Sequence, residues 1–303
     1  MRALVVDSSA PGGLRLSEVP DPVPGTDEVL VRVAAASLNH GELPQTGNAA
    51  APDGSVPGWD AAGTVEQPAA SGAGPDAGAR VVTWGWSGGW AELRAVHVDE
   101  LAVLPDEVDF VRAAALPVAG LTALRALRRA GVRPGHRVAV TGASGGVGHF
   151  AVQLARLQGA EVVAVVGDAA RGAGLAELGA DQVVTSADRI GEPVDVLLDN
   201  VGGPLLGELL GVMAEDGTVV SIGATSGRET PLAPYRLVEK RLTLVGIQAG
   251  GRTGADLAHL ARLLGEGRLR VAVGREADWR SAGEAAEDVV ARRVRGKAVL
   301  TLS

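Results

Sequence analysis

The stretch VAVTGASGGVGHFAVQLARLQGAEVVAVVG, from Val138 to Gly167, constrains the fold more than any other part of the chain. It opens on an apolar β-branched run, passes through a cluster of glycines, continues at helical spacing and closes on a second apolar run. That order predicts strand, turn, helix and neighbouring strand, the unit from which buried parallel sheets are built. At the start of such a helix the first N–H groups have no intrahelical partner and the dipole is positive, so an anion is favoured there. Side chains in the turn would keep that anion away. Gly145 would let a pyrophosphate come close and Gly148 would let the helix pack on the sheet, the parts played by the second and third glycines of G-x-G-x-x-G; Ala143 stands where the first is usual. The pattern points to a dinucleotide cradle made by Gly142, Ala143, Ser144, Gly145, Gly146 and Val147; the alternative, a plain strand-helix turn with no ligand, accounts for Gly148 but not for the run Gly145-Gly146. Along the helix, Val147, Val152, Leu154, Ala155 and Leu157 are expected to face the core.

The second strand of the unit ends AVVGDAARG. An acidic residue there that binds a ribose 2′-OH selects NAD, whereas a small residue with a nearby cation accommodates the 2′-phosphate of NADP. Asp168 suits either the first role or a helix cap. Gly167 is small, and Arg171 can reach back with a guanidinium matched to phosphate, or stand as a solvated helix residue. On this arrangement NADP(H) is expected ahead of NAD.

The flanking regions differ in kind. Before residue 111, short β-rich runs (Met1 to Val6, Leu14 to Glu18, Glu28 to Ala36, Ala61 to Glu66, Ala79 to Trp84, Trp90 to Val96) are separated by Pro/Gly punctuation, as in an irregular antiparallel unit. From Val111, VRAAALPVAGLTALRALRRAG predicts a helix, after which short apolar strands alternate with helical segments as far as Leu242 to Gly246. The tail holds two helical stretches with the strands LRVAVG and KAVLTL about the second, and its β content resembles the first region. The economical layout is an α/β fold in which a doubly wound parallel sheet, residues 115–247, is inserted into a mainly β domain of residues 1–114 and 248–303.

Several classes of function are excluded or disfavoured. The chain has no cysteine, which removes disulfides, thiolate nucleophiles and Cys-based zinc sites. Its formal net charge of -8 disfavours nucleic acid or an anionic membrane as a partner. No apolar run reaches membrane-spanning length and no signal segment opens the chain, so a cytoplasmic protein acting on a small molecule is expected.

Motifs from end to end carry a resemblance to a known family: SLNHGELPQTG at Ser37, VPGWDAAGTVE at Val56, GGWAEL at Gly88, LPDEVDFVRAAALPVAGLTAL at Leu104, TGASGGVG at Thr141, LGADQVV at Leu178, VDVLLDNVGG at Val194, DGTVVSIG at Asp216 and RGKAVLTL at Arg295. In this order they resemble the medium-chain dehydrogenase/reductases, in the zinc-independent quinone oxidoreductase branch close to the enoyl reductases of polyketide synthases. The resemblance implies a GroES-like catalytic domain split around a Rossmann domain, a homodimer, and hydride transfer from NADPH to a quinone or α,β-unsaturated carbonyl. It also places Thr122, Asn200, Val201, Gly202, Ile222, Gly223, Ala224, Gly246 and Ile247 near the cofactor. Zinc-dependent relatives hold their metal with a Cys and a Gly-His-Glu; here the matching stretch is Gly58-Trp59-Asp60, so no metal is expected. The usual Asp, Arg and Tyr after the Asn of the early motif are also missing, and Asn39 is followed by Glu42.

Two pairs of residues remain as candidates for catalysis and specificity. Asn39 could stabilise an oxyanion, and His40 reads either as a donor to substrate or as a solvent-facing loop residue. Trp59, Trp84, Trp86 and Trp90 fall in one short region; they either fill a β core poor in Phe and Tyr or line a pocket for a flat aromatic substrate, with Trp59 and Trp86 the candidates for binding it. Two alternative functions stay open: a pathway-specific enoyl reductase for an aromatic polyketide intermediate, and a non-catalytic NADPH-binding sensor.

Overall fold

Six apolar runs of the middle region lie side by side in the computed structural model, which describes residues 1–43 and 51–302. They are β8 (Arg137–Thr141), β9 (Glu161–Val165), β10 (Gln182–Val184), β11 (Val194–Asp199), β12 (Met213–Ser221) and β13 (Thr243–Gly246). Every pairing is parallel and the order is β10-β9-β8-β11-β12-β13. Renumbered within the sheet this is 3-2-1-4-5-6, the dinucleotide-binding order, whose strand sequence reverses between β8 and β11. The core on one side gathers Ala139, Val163, Leu197, Leu209 and Val219, all inaccessible to solvent.

The rest of the chain forms a second β system. A hairpin of β1 (Arg2–Val6) and β2 (Leu14–Glu18) stands beside a seven-stranded sheet. That sheet contains β3 (Glu28–Leu38), β4 (Asp60–Gln67), β5 (Arg80–Trp84), β6 (Leu93–His97), β7 (Leu101–Val103), β14 (Val273–Asp278) and β15 (Lys297–Thr301). The C-terminal β15 pairs antiparallel with β3, so the tail does return to the first region. Chain contacts divide the molecule into one unit of residues 1–121 with 250 to the end, and another of Thr122–Ala249.

Local sequence explains the departures from expectation. The helix predicted from Val111 is two helices, α1 (Phe110–Ala114) and α2 (Pro117–Ala130), because Pro117 cannot donate and fits only a first turn. Between β9 and β10, and between β10 and β11, single 3-10 turns replace the expected helices. Trp90 precedes β6 rather than opening it, and of LRVAVG only the end belongs to β14. In α3 (Gly146–Leu157) the expected apolar stripe is replaced by burial on all sides from Gly148 to Ala155, while Val147 is half-buried and Leu157 exposed. The remaining helices are α4 (Gly203–Leu209), α5 (Pro234–Glu239), α6 (Gly254–Gly265) and α7 (Ala282–Val290). No helix among the described residues is long and apolar enough to cross a membrane.

Candidate functional site

The glycine turn sits where the sheet order reverses. Gly142 has φ +60°, a conformation that favours glycine, and Gly145 precedes α3 with no side chain capping the helix among the described residues. A Cβ on Gly148 would lie 2.3 Å from the Gly142 carbonyl oxygen and 2.6 Å from Ala143 Cα, so only glycine lets the helix pack on the turn. Gly145 is different: a Cβ there meets one atom, the Gly142 oxygen at 3.3 Å, and its backbone is accessible to any residue. Packing therefore demands Gly148 but leaves Gly145 for another purpose.

The segments expected near the cofactor converge on that turn. A Cβ on Gly142 would lie 3.4 Å from Val201 Cγ2 and 3.6 Å from Asn200 Cβ. Asn200 Nδ2 donates to the Thr141 carbonyl at 2.8 Å, and its backbone N–H donates to Thr141 Oγ1 at 2.9 Å. Beneath them Asp199, fully buried, accepts from Thr141 Oγ1 at 2.7 Å and from the N–H of Gly202 at 2.9 Å. Burial pushes the Asp199 carboxyl up despite these donors. Gly202 has φ +67° and lies against Ala224, while the Ile222 and Gly223 N–H groups donate to the Asp199 carbonyl. Ile247, beside Gly246, donates to the Ser221 carbonyl. The ends of β8, β11, β12 and β13 thus form one continuous rim. Thr122 lies buried in α2.

The end of β9 bears on cofactor choice. Asp168 accepts from the Arg171 N–H at 3.2 Å and so caps the 3-10 turn Ala169–Gly172, the second of the roles open to it. Arg171 Nε donates to Ser144 Oγ at 3.1 Å, bringing its guanidinium to the glycine turn. A Cβ on Gly167 would meet nothing within 4 Å. Open space and a cation at this position fit a 2′-phosphate.

In the first unit, Asn39 opens a 3-10 turn, His40–Glu42, through a reciprocal capping box. The surroundings are a buried ionic cluster. Asn39 Nδ2 donates to Glu42 Oε1 at 2.8 Å and Asp60 Oδ2 at 2.9 Å, and its Oδ1 accepts from Lys297 Nζ. Lys297 Nζ also donates to the Leu38 carbonyl at 3.2 Å and faces Asp60 Oδ2 at 3.4 Å. Asp60 further accepts from Ser37 Oγ at 2.9 Å and, through Oδ1, from the Val118 N–H in the first turn of α2 at 3.0 Å. Glu42, Asp60, Lys297 and a fourth charge, Arg94, are each at most 5 % exposed. Both amide protons of Asn39 are engaged within this cluster.

Burial, reinforced by the Asp60 charge, pushes the Glu42 carboxyl up to about 8, against the opposing effects of the Asn39 donor, Lys297 and the Trp59 N–H. Burial likewise lowers Arg94 to about 10. His40 is half-buried, and desolvation with the charge of Arg292 lowers its pKa, favouring the neutral imidazole. Residues 44–47 of the early motif lie outside the described residues.

The tryptophans divide between the two readings. Trp84 and Trp90 are core residues, at most 1 % exposed, whereas Trp86 is 52 % exposed and Trp59 half-buried. The centroids of Trp59 and Trp86 are 5.5 Å apart with their planes at 89°. Sequence reasoning overlooked Arg94 and Lys297. The readable signs were the Asn-x-x-Glu capping spacing at Asn39 and a lone Arg inside the strand LRAVH. Among the described residues, no group of three or more His, Cys, Asp or Glu could hold a metal ion.

Two family descriptions match the chain: alcohol dehydrogenase GroES-like domain over residues 25–106, and zinc-binding dehydrogenase over residues 146–265. The acrylyl-CoA reductase AcuI of Ruegeria pomeroyi is 34 % identical over 281 residues, covering 82 % of each chain. A quinone oxidoreductase of Mus musculus is 29 % identical, over 96 % of this chain and 94 % of its own. Among solved structures, the Escherichia coli quinone oxidoreductase complexed with NADPH superposes with a TM-score of 0.88 at 25 % identity, covering 99 % of this chain and 100 % of that one.

Proposed function

This chain belongs to the medium-chain dehydrogenase/reductase family, and we propose that within it the protein is a metal-independent, NADPH-dependent reductase of quinones or α,β-unsaturated carbonyls. The observation that carries the cofactor choice is Arg171 Nε against Ser144 Oγ, beside the open space at Gly167. In this reading the N–H groups at the start of α3 hold the pyrophosphate and Gly142–Val147 keep side chains out of its way. Arg171 and Ser144 take the 2′-phosphate. Asn200–Gly202, Ile222–Ala224, Gly246–Ile247 and Thr122 complete the nucleotide site. Metal independence is supported by the sequence, which has no cysteine and reads Gly58-Trp59-Asp60 where zinc-dependent relatives carry ligands.

Bound NADPH would supply a hydride from nicotinamide C4 which, with a proton from water, converts a quinone to its hydroquinone or an enone to the saturated carbonyl and leaves NADP⁺. The chain's own contribution is to orient the acceptor and to stabilise the charge that gathers on its oxygen. With Asn39 committed to the buried cluster, that charge falls to a backbone N–H, to water or to the N–H of neutral His40. The protein acts in the cytoplasm as a homodimer, pairing through the edge strand β13, where Leu244 is 43 % exposed.

The test follows NADPH absorbance with benzoquinone, naphthoquinone and a simple enone, before and after dialysis against a chelator. Turnover that survives the chelator supports the reading, and absence of turnover with all three refutes it. Arg171→Ala should weaken NADPH relative to NADH by about tenfold to a hundredfold, the value of a charged hydrogen-bonding pair. An unchanged preference would remove Arg171 from the phosphate subsite.

A further inference from the structure

The chain places a half-exposed indole on a framework of buried polar side chains. Trp86 stands edge-to-face with two others, Trp59 at 5.5 Å and 89° and Trp84 at 5.0 Å and 70°. Trp84 is core, so the accessible ring surface belongs to Trp86, half exposed, and Trp59, half-buried, which meet at a right angle. The backbone of this corner is held from beneath. Glu42 Oε2 accepts from the Trp59 N–H at 2.6 Å, and Arg94 Nη1 donates to the Trp59 carbonyl at 3.1 Å. Arg94 Nη2 donates to the carbonyl of Ser87, next to Trp86, at 3.1 Å. Glycines border both rings: a Cβ on Gly41 would lie 3.2 Å from Trp59 Cη2, and one on Gly250 would lie 3.5 Å from Trp86 Cζ2.

A surface tryptophan with no task would need none of this. Two buried side chains, Glu42 and Arg94, are engaged in fixing the backbone of the corner, each giving up hydration to do so. A rigid pair of perpendicular rings favours one shape of guest, a flat molecule that stacks on one face while presenting its edge to the other. We propose that Trp59 and Trp86 form a stacking platform that selects a planar, fused-ring carbonyl compound, such as a polycyclic quinone, over single-ring quinones and open-chain thioesters. The proposal rests on the reductase reading for the reaction, while the platform itself rests on this geometry. A fused system covers more of the two indole surfaces than a single ring or a chain does, and the preference follows that extra contact area.

The experiment measures binding and turnover separately. Phenanthrenequinone and benzoquinone are titrated calorimetrically into the protein saturated with NADP⁺, which cannot turn over, and then assayed with NADPH. Phenanthrenequinone should bind at least about tenfold more tightly, the return from one good aromatic contact together with its buried area. Trp86→Ala should reduce that preference by about tenfold, Trp86→Phe should retain most of it, and Trp86→Leu, bulky but not flat, should not. Circular dichroism and NADPH affinity verify that the variants are folded. Equal affinity for the two quinones, or a preference untouched by Trp86→Ala, overturns the platform even where both quinones are reduced. Tight phenanthrenequinone binding with no NADPH oxidation upholds the platform and overturns the reductase reading instead.

Discussion

Replacing Lys297 by Met probes the polar cluster on which the first unit is built. Lys297 is 5 % exposed and its partner Asp60 is fully buried. The ammonium contributes the Asp60 contact at 3.4 Å, a bond to the Leu38 carbonyl at 3.2 Å and a bond to Asn39 Oδ1. Methionine has similar bulk and none of these donors, so the loss is electrostatic rather than a cavity. Asp60 would keep its bonds from Ser37, Asn39 and Val118 but lose its nearest countercharge inside the protein. Removing one member of a buried pair typically costs about 3–5 kcal/mol, against at most about 1 kcal/mol at the surface. All five tryptophans belong to the first unit, so tryptophan fluorescence during urea unfolding reports on that unit alone. Adding Asp60→Asn to Lys297→Met should recover a large part of the loss, since the stranded charge is then gone. A Lys297→Met cost below about 1 kcal/mol, or single-variant costs that merely add in the double variant, would refute the cluster as a coupled unit.

Three further variants test the remaining chemistry. Gly148→Ala should destabilise the nucleotide-binding unit by about 1–3 kcal/mol, because its Cβ meets backbone atoms at 2.3 and 2.6 Å. Gly145→Ala should leave stability nearly unchanged yet weaken NADPH binding by calorimetry; if both variants bind NADPH like the wild type, the phosphates do not lie on this turn. Glu42 has a folded pKa of about 8, raised from 4.5, so the stability it contributes is fully present below pH 4.5 and is lost as pH rises through 8. The span corresponds to about 5 kcal/mol at most. Glu42→Gln, which cannot ionise, should therefore gain stability relative to wild type between pH 5 and pH 8.5 in urea melts; a relative loss over that interval would contradict the assignment.

What could be read from the chain follows the range of the interactions involved. The strand-turn-helix unit at Val138 was legible because its determinants are local: apolar runs, glycines and helical spacing act on near neighbours. The same holds for Asp168, whose capping option was visible three residues before the N–H it accepts. Pro117 was equally visible, and the predicted helix ran through it because Ala and Leu periodicity on both sides outweighed a single breaker. The ionic cluster lay beyond such reasoning. Lys297 meets Asn39 and Asp60 across separations of 258 and 237 residues, so nothing near any one of them announces the others. A polar residue in the sequence is ordinarily read as exposed, and burial comes to these two, Arg94 and Lys297, only in the folded unit, to Lys297 where β15 returns onto β3 and to Arg94 against Trp59, Thr83 and Ser87. The partners of Asn39 were equally out of sight, since its protons are engaged only after Glu42 and Asp60 have folded against it. The tryptophans make the same point from the apolar side: four of them looked alike in sequence, and tertiary packing alone sends Trp84 and Trp90 inward while leaving Trp86 facing water.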